Sequence, residues 1–274
     1  MKRSQKSLAS IVKDVETIMV DIEGTTTSIS FVKEVLFPYV RREITTHLRD
    51  TWDTHHTRHD VAALKQQVRE DVSAGVEGVE PLPSEDDHHA LVSALAACVL
   101  AMMDADRKVA ALKTLQGHMW HRAYHTGAIT AHVYEDVVGA LQEWKESGKR
   151  LVVYSSGSVQ AQKLLFTHSC HGDLLHFFSE HFDTTVGAKV EVESYRRILQ
   201  HLDCSPEKVL FITDLAKEAR AAQGAGLRVV LSVREGTAPL TPEDLAAFPV
   251  IHSFDELRRQ QQPHSPATKR ARDH

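Results

Sequence analysis

The segment TIMVDIEGTTTSISF, residues 17–31, ends an apolar run with Asp21, sets Glu23 two positions later and turns through Gly24 into three threonines. Two carboxylates so placed suit a nucleophile beside a proton carrier, or ligands for a hard cation. A loop with two solvated acids fits the same short pattern. Three more segments end apolar runs in complementary groups. VVYSSGS supplies Ser155 and Ser156 ahead of Gly157, a turn whose hydroxyls and amides can receive an anion. TTVGAKVE carries Lys189 just before a helical stretch that starts near Glu191. Its ammonium is a mobile point charge able to balance negative charge. VLFITDLAKEARAA ends a run in Asp214, with Glu218 one helical turn beyond.

Acids that face one cleft repel one another unless a cation joins them, and oxygen donors with room for water suit Mg²⁺. A phosphate would supply the remaining ligand. Phosphoryl transfer needs little beyond positioning and charge neutralisation, for which a metal, a lysine and hydroxyl or amide donors are the recurring parts. On this reading Asp21, held at the strand end, attacks phosphorus, and Glu23, in the turn, protonates the leaving oxygen and then activates water. Singly, each residue has an ordinary alternative: Ser155 as a turn residue, Lys189 as a solvated cation, Asp214 as a helix cap. Their joint order at four strand ends favours the chemistry.

Such groups need a sheet to hold them. From about residue 132, helical patterns alternate with the β-branched runs KRLVVYSS, HFDTTVG, KVLFITD and LRVVLSV, which implies βα units and a parallel sheet. In such sheets ligands lie beyond the carboxyl ends of the strands, where these residues fall. The first strand joins that sheet across about a hundred residues of helical pattern. We therefore expect an α/β protein with a doubly wound parallel-sheet core from residues 10–30 and 131–257, an inserted helical cap over 31–130, and a disordered tail at 258–274. Within the cap, Pro38 must bend or restart a helix, and SAGVEGVEPLPS reads as a loop. Ser84 and Asp87 form a capping box ahead of a helix bearing Leu91, Leu95, Cys98, Val99 and Met102.

Composition narrows the function classes. The 274 residues are 42% hydrophobic with a net charge of −5 spread over many acids and bases, so neither a nucleic-acid footprint nor a polybasic membrane surface is evident. No apolar run is long enough to span a bilayer, and the start lacks a secretory signal. A cytoplasmic location is expected; KRAR in the tail is either a nuclear-targeting element or part of a solvated tail. Cys98, Cys170 and Cys204 are odd in number and far apart, so we expect reduced, mostly buried thiols rather than disulfides or a zinc site. His118, His121 and His125 fall on one helical face, read as solvated rather than metal-binding, and the HHTRH run at 55–59 is read likewise.

Together, TTTSISFVKEVLFPYV, GHMW, VYSSGSVQAQKLLF, HFDTTVGAKVEVESYR and FITDLAKEARAAQGAGL resemble the haloacid dehalogenase-like phosphatases and, within them, the enolase-phosphatases of methionine salvage. The usual first motif of the superfamily is Asp-x-Asp-Gly-Thr; the Asp21-Ile22-Glu23-Gly24-Thr25 of this chain carries the glutamate found in enolase-phosphatases. The resemblance implies that Asp21, Glu23 and Asp214 hold Mg²⁺, that Asp21 becomes the aspartyl-phosphate, and that Ser155, Ser156 and Lys189 contact substrate. It further implies that 2,3-diketo-5-methylthiopentyl-1-phosphate is enolised and dephosphorylated to 1,2-dihydroxy-3-keto-5-methylthiopentene. A small-molecule substrate and a monomer are expected, although the sequence does not fix oligomeric state. Ala188 departs from a frequent histidine, and the DTHHTRHD stretch and basic tail are individual. Competing readings are a plain metabolite phosphatase, a receiver-like signalling module and a non-catalytic binding protein. The helical insertion argues against the second, and the intact residue set against the third.

Overall fold

The computed structural model describes residues 8–258. After helix α1 (Leu8–Lys13), strand β1 (Thr17–Val20) enters the centre of a six-stranded sheet. The other strands are β2 (Arg150–Tyr154), β3 (Glu180–Phe182), β4 (Val209–Thr213), β5 (Arg228–Ser232) and β6 (Val250–Ile251). They run parallel in the order β3-β2-β1-β4-β5-β6. The short β6 adds an edge strand to the four runs recognised after residue 132.

Alternation along the strands explains why they read as continuous apolar runs. Ile18, Val20, Leu151, Val153, Leu210 and Ile212 pack on one face, while Met19, Val152, Tyr154, Val209 and Phe211 pack on the other. Helices cover both faces, so the central strand positions are apolar on both sides of the sheet. The covering helices are α6 (Glu135–Glu146), α7 (Val159–Thr167), α8 (Val192–Leu202), α9 (Ala216–Gly224) and α10 (Pro242–Ala247).

Between β1 and α6 the chain makes a π-helical turn at Phe31–Leu36 and then helices α2 (Phe37–Thr51), α3 (His55–Ser73), α4 (His88–Asp104) and α5 (Ala110–His125). Pro38 lies in the first turn of α2, where its missing N–H costs no helical bond, so it restarts the helix after the π turn. The cap has its own apolar cluster, running from Val40 to Met119, whereas Phe31, Leu36, Ala123 and Tyr124 pack into the core beside the sheet. Trp120 packs against both clusters and donates its indole N–H to the carbonyl of Leu36 (3.0 Å), tying the two crossings together.

Several sequence expectations need correction. Helix α4 is capped by Asp87 itself, whose side chain accepts from the amide of Ala90, while Ser84 turns to Asp86; the expected box is displaced because the helix starts three residues late. The cysteines are free but not mostly buried: Cys98 lies at the edge of the α4 apolar stripe, and Cys170 and Cys204 lie in turns that follow α7 and α8. His118 turns inward to the fully buried Asp60 of α3 (2.8 Å), while His121 and His125 stack at the surface, so the three do not act as one solvated face. Arg258, expected to open the tail, is ordered and pairs with Glu143 and Asp255; the remaining tail and KRAR lie outside the described residues. Among the described residues no helix is long and apolar enough to cross a membrane.

Candidate active site

Register places the acids. Val20 is level with Val153 on one side and Ile212 on the other, so Asp21 emerges beside Tyr154 and Thr213, its amide donating to the carbonyl of Ile212 (2.9 Å). The loop after Asp21 is tightly wound: Ile22 accepts from the amides of Thr25, Thr26 and Thr27, and the Thr26 hydroxyl donates to the carbonyl of Asp21. Gly24 adopts φ 72°, and a Cβ there would lie 2.5 Å from Oδ2 of Asp214. Glycine is thus required twice, by backbone conformation and by the approach of the β4 loop to the β1 loop.

Lys189 reaches the site from the loop after β3. That loop is held by its carbonyls: Gly187 accepts from the Tyr154 hydroxyl, Ala188 from the Ser194 hydroxyl and Lys189 from the Tyr195 hydroxyl. The Lys189 ammonium then lies 2.6 Å from Oδ1 of Asp21 and 2.8 Å from Oε2 of Glu218, with only 7% of the side chain exposed. The rings of Tyr154 and Phe211 flank it, each with its centroid 5.9 Å away. The Thr213 hydroxyl donates to Glu218 (2.7 Å), fixing that carboxylate on the first turn of α9. Ser155 is buried at the end of β2, its amide bonded to the carbonyl of Phe182, while Ser156 is exposed beside it.

The structure thus brings Asp21 and Lys189 into direct contact and sets Asp214 against the Gly24 turn, with Ser155 and Ser156 at the neighbouring strand end. Glu218 is the partner that sequence reasoning missed. Its spacing from Asp214 was visible, but its role as the second anchor of Lys189 depends on how α9 leaves the sheet.

Burial and crowding set the charge states. Burial, then the charges of Asp21 and Glu218, push the Asp214 carboxyl up to about 7, against the pull of Lys189. Burial and then Asp21 raise Glu23, while Lys33, Lys189 and Lys108 pull it down. Burial and Asp21 likewise raise Glu218. Burial works against the charge of Lys189, but Asp21 and Glu218 outweigh it and hold its pKa above the ordinary value, so it remains an ammonium.

These donors suit a hard divalent cation. Four carboxyl groups, Asp21, Glu23, Asp214 and Glu218, face one buried ammonium, and Asp214 leans toward neutrality for want of a further positive charge. Among the described residues no three acidic, histidine or cysteine side chains are gathered tightly enough to hold a metal unaided. An excess of acid, a buried lysine and a hydroxyl-lined turn at the carboxyl edge of a parallel sheet are groups suited to receiving a phosphorylated anion together with a cation.

A family model for haloacid dehalogenase-like hydrolases matches residues 15–226. The chain is 49% identical over 261 residues to an enolase-phosphatase E1 of Branchiostoma floridae, covering 91% of this chain and 86% of that one. It is 46% identical to an enolase-phosphatase E1 of Xenopus tropicalis, covering 92% of this chain and 97% of that one. Among solved structures, the UTR4 protein of Saccharomyces cerevisiae superposes with a TM-score of 0.70 at 32% identity, over 88% of this chain and 99% of that one.

Proposed function

Because the chain belongs to the haloacid dehalogenase-like hydrolases and, within them, to the enolase-phosphatases, we propose that it is the Mg²⁺-dependent enzyme that enolises and dephosphorylates 2,3-diketo-5-methylthiopentyl-1-phosphate, yielding 1,2-dihydroxy-3-keto-5-methylthiopentene and phosphate in methionine salvage. One observation carries the assignment of the nucleophile. Among the described residues, both contacts of the Asp21 carboxylate, from the Ile22 amide (2.8 Å) and the Lys189 ammonium (2.6 Å), fall on Oδ1. Oδ2 is left to attack phosphorus.

In the first displacement, Oδ2 of Asp21 bonds to phosphorus and the bond from phosphorus to the substrate oxygen breaks. Glu23, whose pKa burial and then Asp21 raise above the ordinary carboxylate value, gives its proton to that oxygen. Glu23 then takes a proton from water, which attacks the aspartyl-phosphate and releases inorganic phosphate. Ser155, Ser156 and the following turn amides hold the phosphoryl oxygens, and Lys189 neutralises part of their charge. Asp21, Glu23 and Asp214 would hold Mg²⁺, which would supply the remaining positive charge on the phosphoryl group. The cap closes over the sheet edge to exclude water from the reacting carbonyls.

Asp21→Asn tests this reading. The amide is a poor nucleophile, so phosphate release should fall by at least about 10³-fold while the fold is retained, because the side chain keeps its shape. Phosphate release at the wild-type rate would refute the assignment. A plain metabolite phosphatase would release phosphate from the diketone phosphate without a transient enol absorbance, so one time-resolved spectrum of the wild-type enzyme separates the two readings.

A further inference from the structure

The turn that follows β2 is braced by a buried side chain that the chemistry above does not use. Gln162, in the first turn of α7, is 1% exposed. Its Nε2 donates to the carbonyls of Gly157 (2.8 Å) and Phe182 (2.8 Å), and its Oε1 accepts from Nδ1–H of His181 (3.2 Å). Both carbonyl oxygens can only accept, so they fix which way the amide faces. Burial and then the charge of Lys163 lower the His181 pKa to about 4, so the ring is neutral and carries its proton on Nδ1. The two carbonyls belong to the two segments assigned to the phosphoryl group. Gly157 closes the turn of Ser155 and Ser156, whereas Phe182 ends β3 and starts the loop that carries Lys189.

A planar trans peptide points its carbonyl and the following N–H in opposite directions. Holding the Gly157 carbonyl against Gln162 therefore turns the Ser158 N–H away from it. Ser158 also caps α7, its hydroxyl accepting from the Ala161 amide (3.3 Å), so this peptide stands at the amino end of that helix. The Phe182 carbonyl accepts from the Ser155 amide as well (3.2 Å), and Asp183 accepts from the Val159 amide (3.1 Å). The serine turn, the start of α7 and the end of β3 are thus joined around one amide. Resting on the phosphatase reading above, we propose that Gln162 is a positioning residue for the phosphate-binding half of the site. It sets the rotation of the Gly157–Ser158 peptide, and so the aim of the turn amides, and it fixes the serine turn against the loop of Lys189. Gln162 itself touches no substrate. Without it the donors remain, but they no longer converge on the phosphoryl oxygens, and a displacement of about 1 Å costs on the order of 100-fold in rate.

The test compares full-length wild-type, Gln162→Met and Gln162→Glu enzymes, with Mg²⁺ present, against Leu141→Ala. That control empties a buried position of α6 and breaks none of these hydrogen bonds. Wild type must first release phosphate from p-nitrophenyl phosphate and be inhibited competitively by inorganic phosphate; failure at that point would sink the phosphatase reading rather than the role of Gln162. Gln162→Met keeps the length and removes the donors, so kcat/KM should fall, and the inhibition constant for phosphate rise, by about tenfold each. Gln162→Glu sets a carboxylate against two carbonyl oxygens and should lose on the order of 100-fold in kcat/KM. A protonated carboxyl regains one donor, so the ratio of this variant's kcat/KM to that of wild type should climb as pH falls from 8 to 5. His181, at about 4, stays neutral over that range; Asp183, which burial raises but hydrogen bonds from Thr185 and Val159 hold low, stays charged; and Lys163 keeps its ammonium. Leu141→Ala should melt lower yet keep the wild-type inhibition constant. An unchanged inhibition constant in the Gln162 variants, an equal rise in Leu141→Ala, or a ratio flat with pH would overturn the proposal. Should Gln162→Glu fail to fold, the phosphate inhibition constant of Gln162→Met decides.

Discussion

Replacing Lys189 by methionine keeps most of the side-chain volume and removes the charge. In the folded chain that charge lies 2.6 Å from Asp21 and 2.8 Å from Glu218, with 7% of the side chain exposed, so water replaces little of what is lost. Removing one partner from a buried ion pair costs about 3–5 kcal/mol, chiefly because the other charges stay buried and uncompensated. We take about 3 kcal/mol, because Glu218 and Asp214, both already raised, can take up protons in place of the ammonium. For a chain of this size that corresponds to a fall of roughly 6–12 °C in Tm. Proton uptake becomes easier by about 1.4 kcal/mol per pH unit as pH falls, so the loss should shrink between pH 8 and pH 5. Catalysis suffers separately: losing a buried charged partner of the phosphate costs about 2–4 kcal/mol, or roughly 30- to 1000-fold in kcat/KM. Urea melts at pH 5 and pH 8 together with phosphate-release kinetics measure both. An unchanged kcat/KM, or a small stability loss that is the same at both pH values, would refute this account of the site.

Two further tests probe the acids and the turn. In the folded chain Asp214 titrates at about 7 instead of its ordinary 3.8, so the folded state binds the extra proton between those values and the metal-free protein should lose stability as pH rises from about 4 to about 7. Asp71, Asp136 and Asp183 are held low and act oppositely, losing their contribution as pH falls below about 4. Urea melts in EDTA should therefore peak near pH 4–5. Asp214→Asn should flatten the neutral slope and abolish the rise that Mg²⁺ gives the wild type, about 2.7 kcal/mol at a hundred times its Kd; a steep slope that persists in the variant would assign the effect elsewhere. Gly24→Ala must strain a backbone at φ 72° and drive a methyl to 2.5 Å from Asp214, so we expect about 1–3 kcal/mol of destabilisation and at least about a 100-fold fall in phosphate release. Wild-type-like melting and turnover would show that the two loops do not meet.

Much of this protein was legible in the chain itself. Strand positions such as Ile18, Leu151 and Leu210 are apolar because both faces of a parallel sheet are covered, and that constraint writes a continuous local pattern. The same strand ends deliver Asp21, Ser155 and Asp214, so the identities of the reacting groups could be read with the strands. Local pattern also marked Pro38 as a bend or restart of a cap helix, of which the structure shows the restart, but it placed the start of α4 wrongly, because Asp87 can cap the helix as well as close a box and only the course of the backbone selects between them. The tertiary structure alone decided which acids Lys189 binds and how close Asp214 comes to Gly24. These depend on helix departure angles. Such angles are set by packing between residues far apart in sequence, whereas strand and helix periods are set by neighbours along the chain.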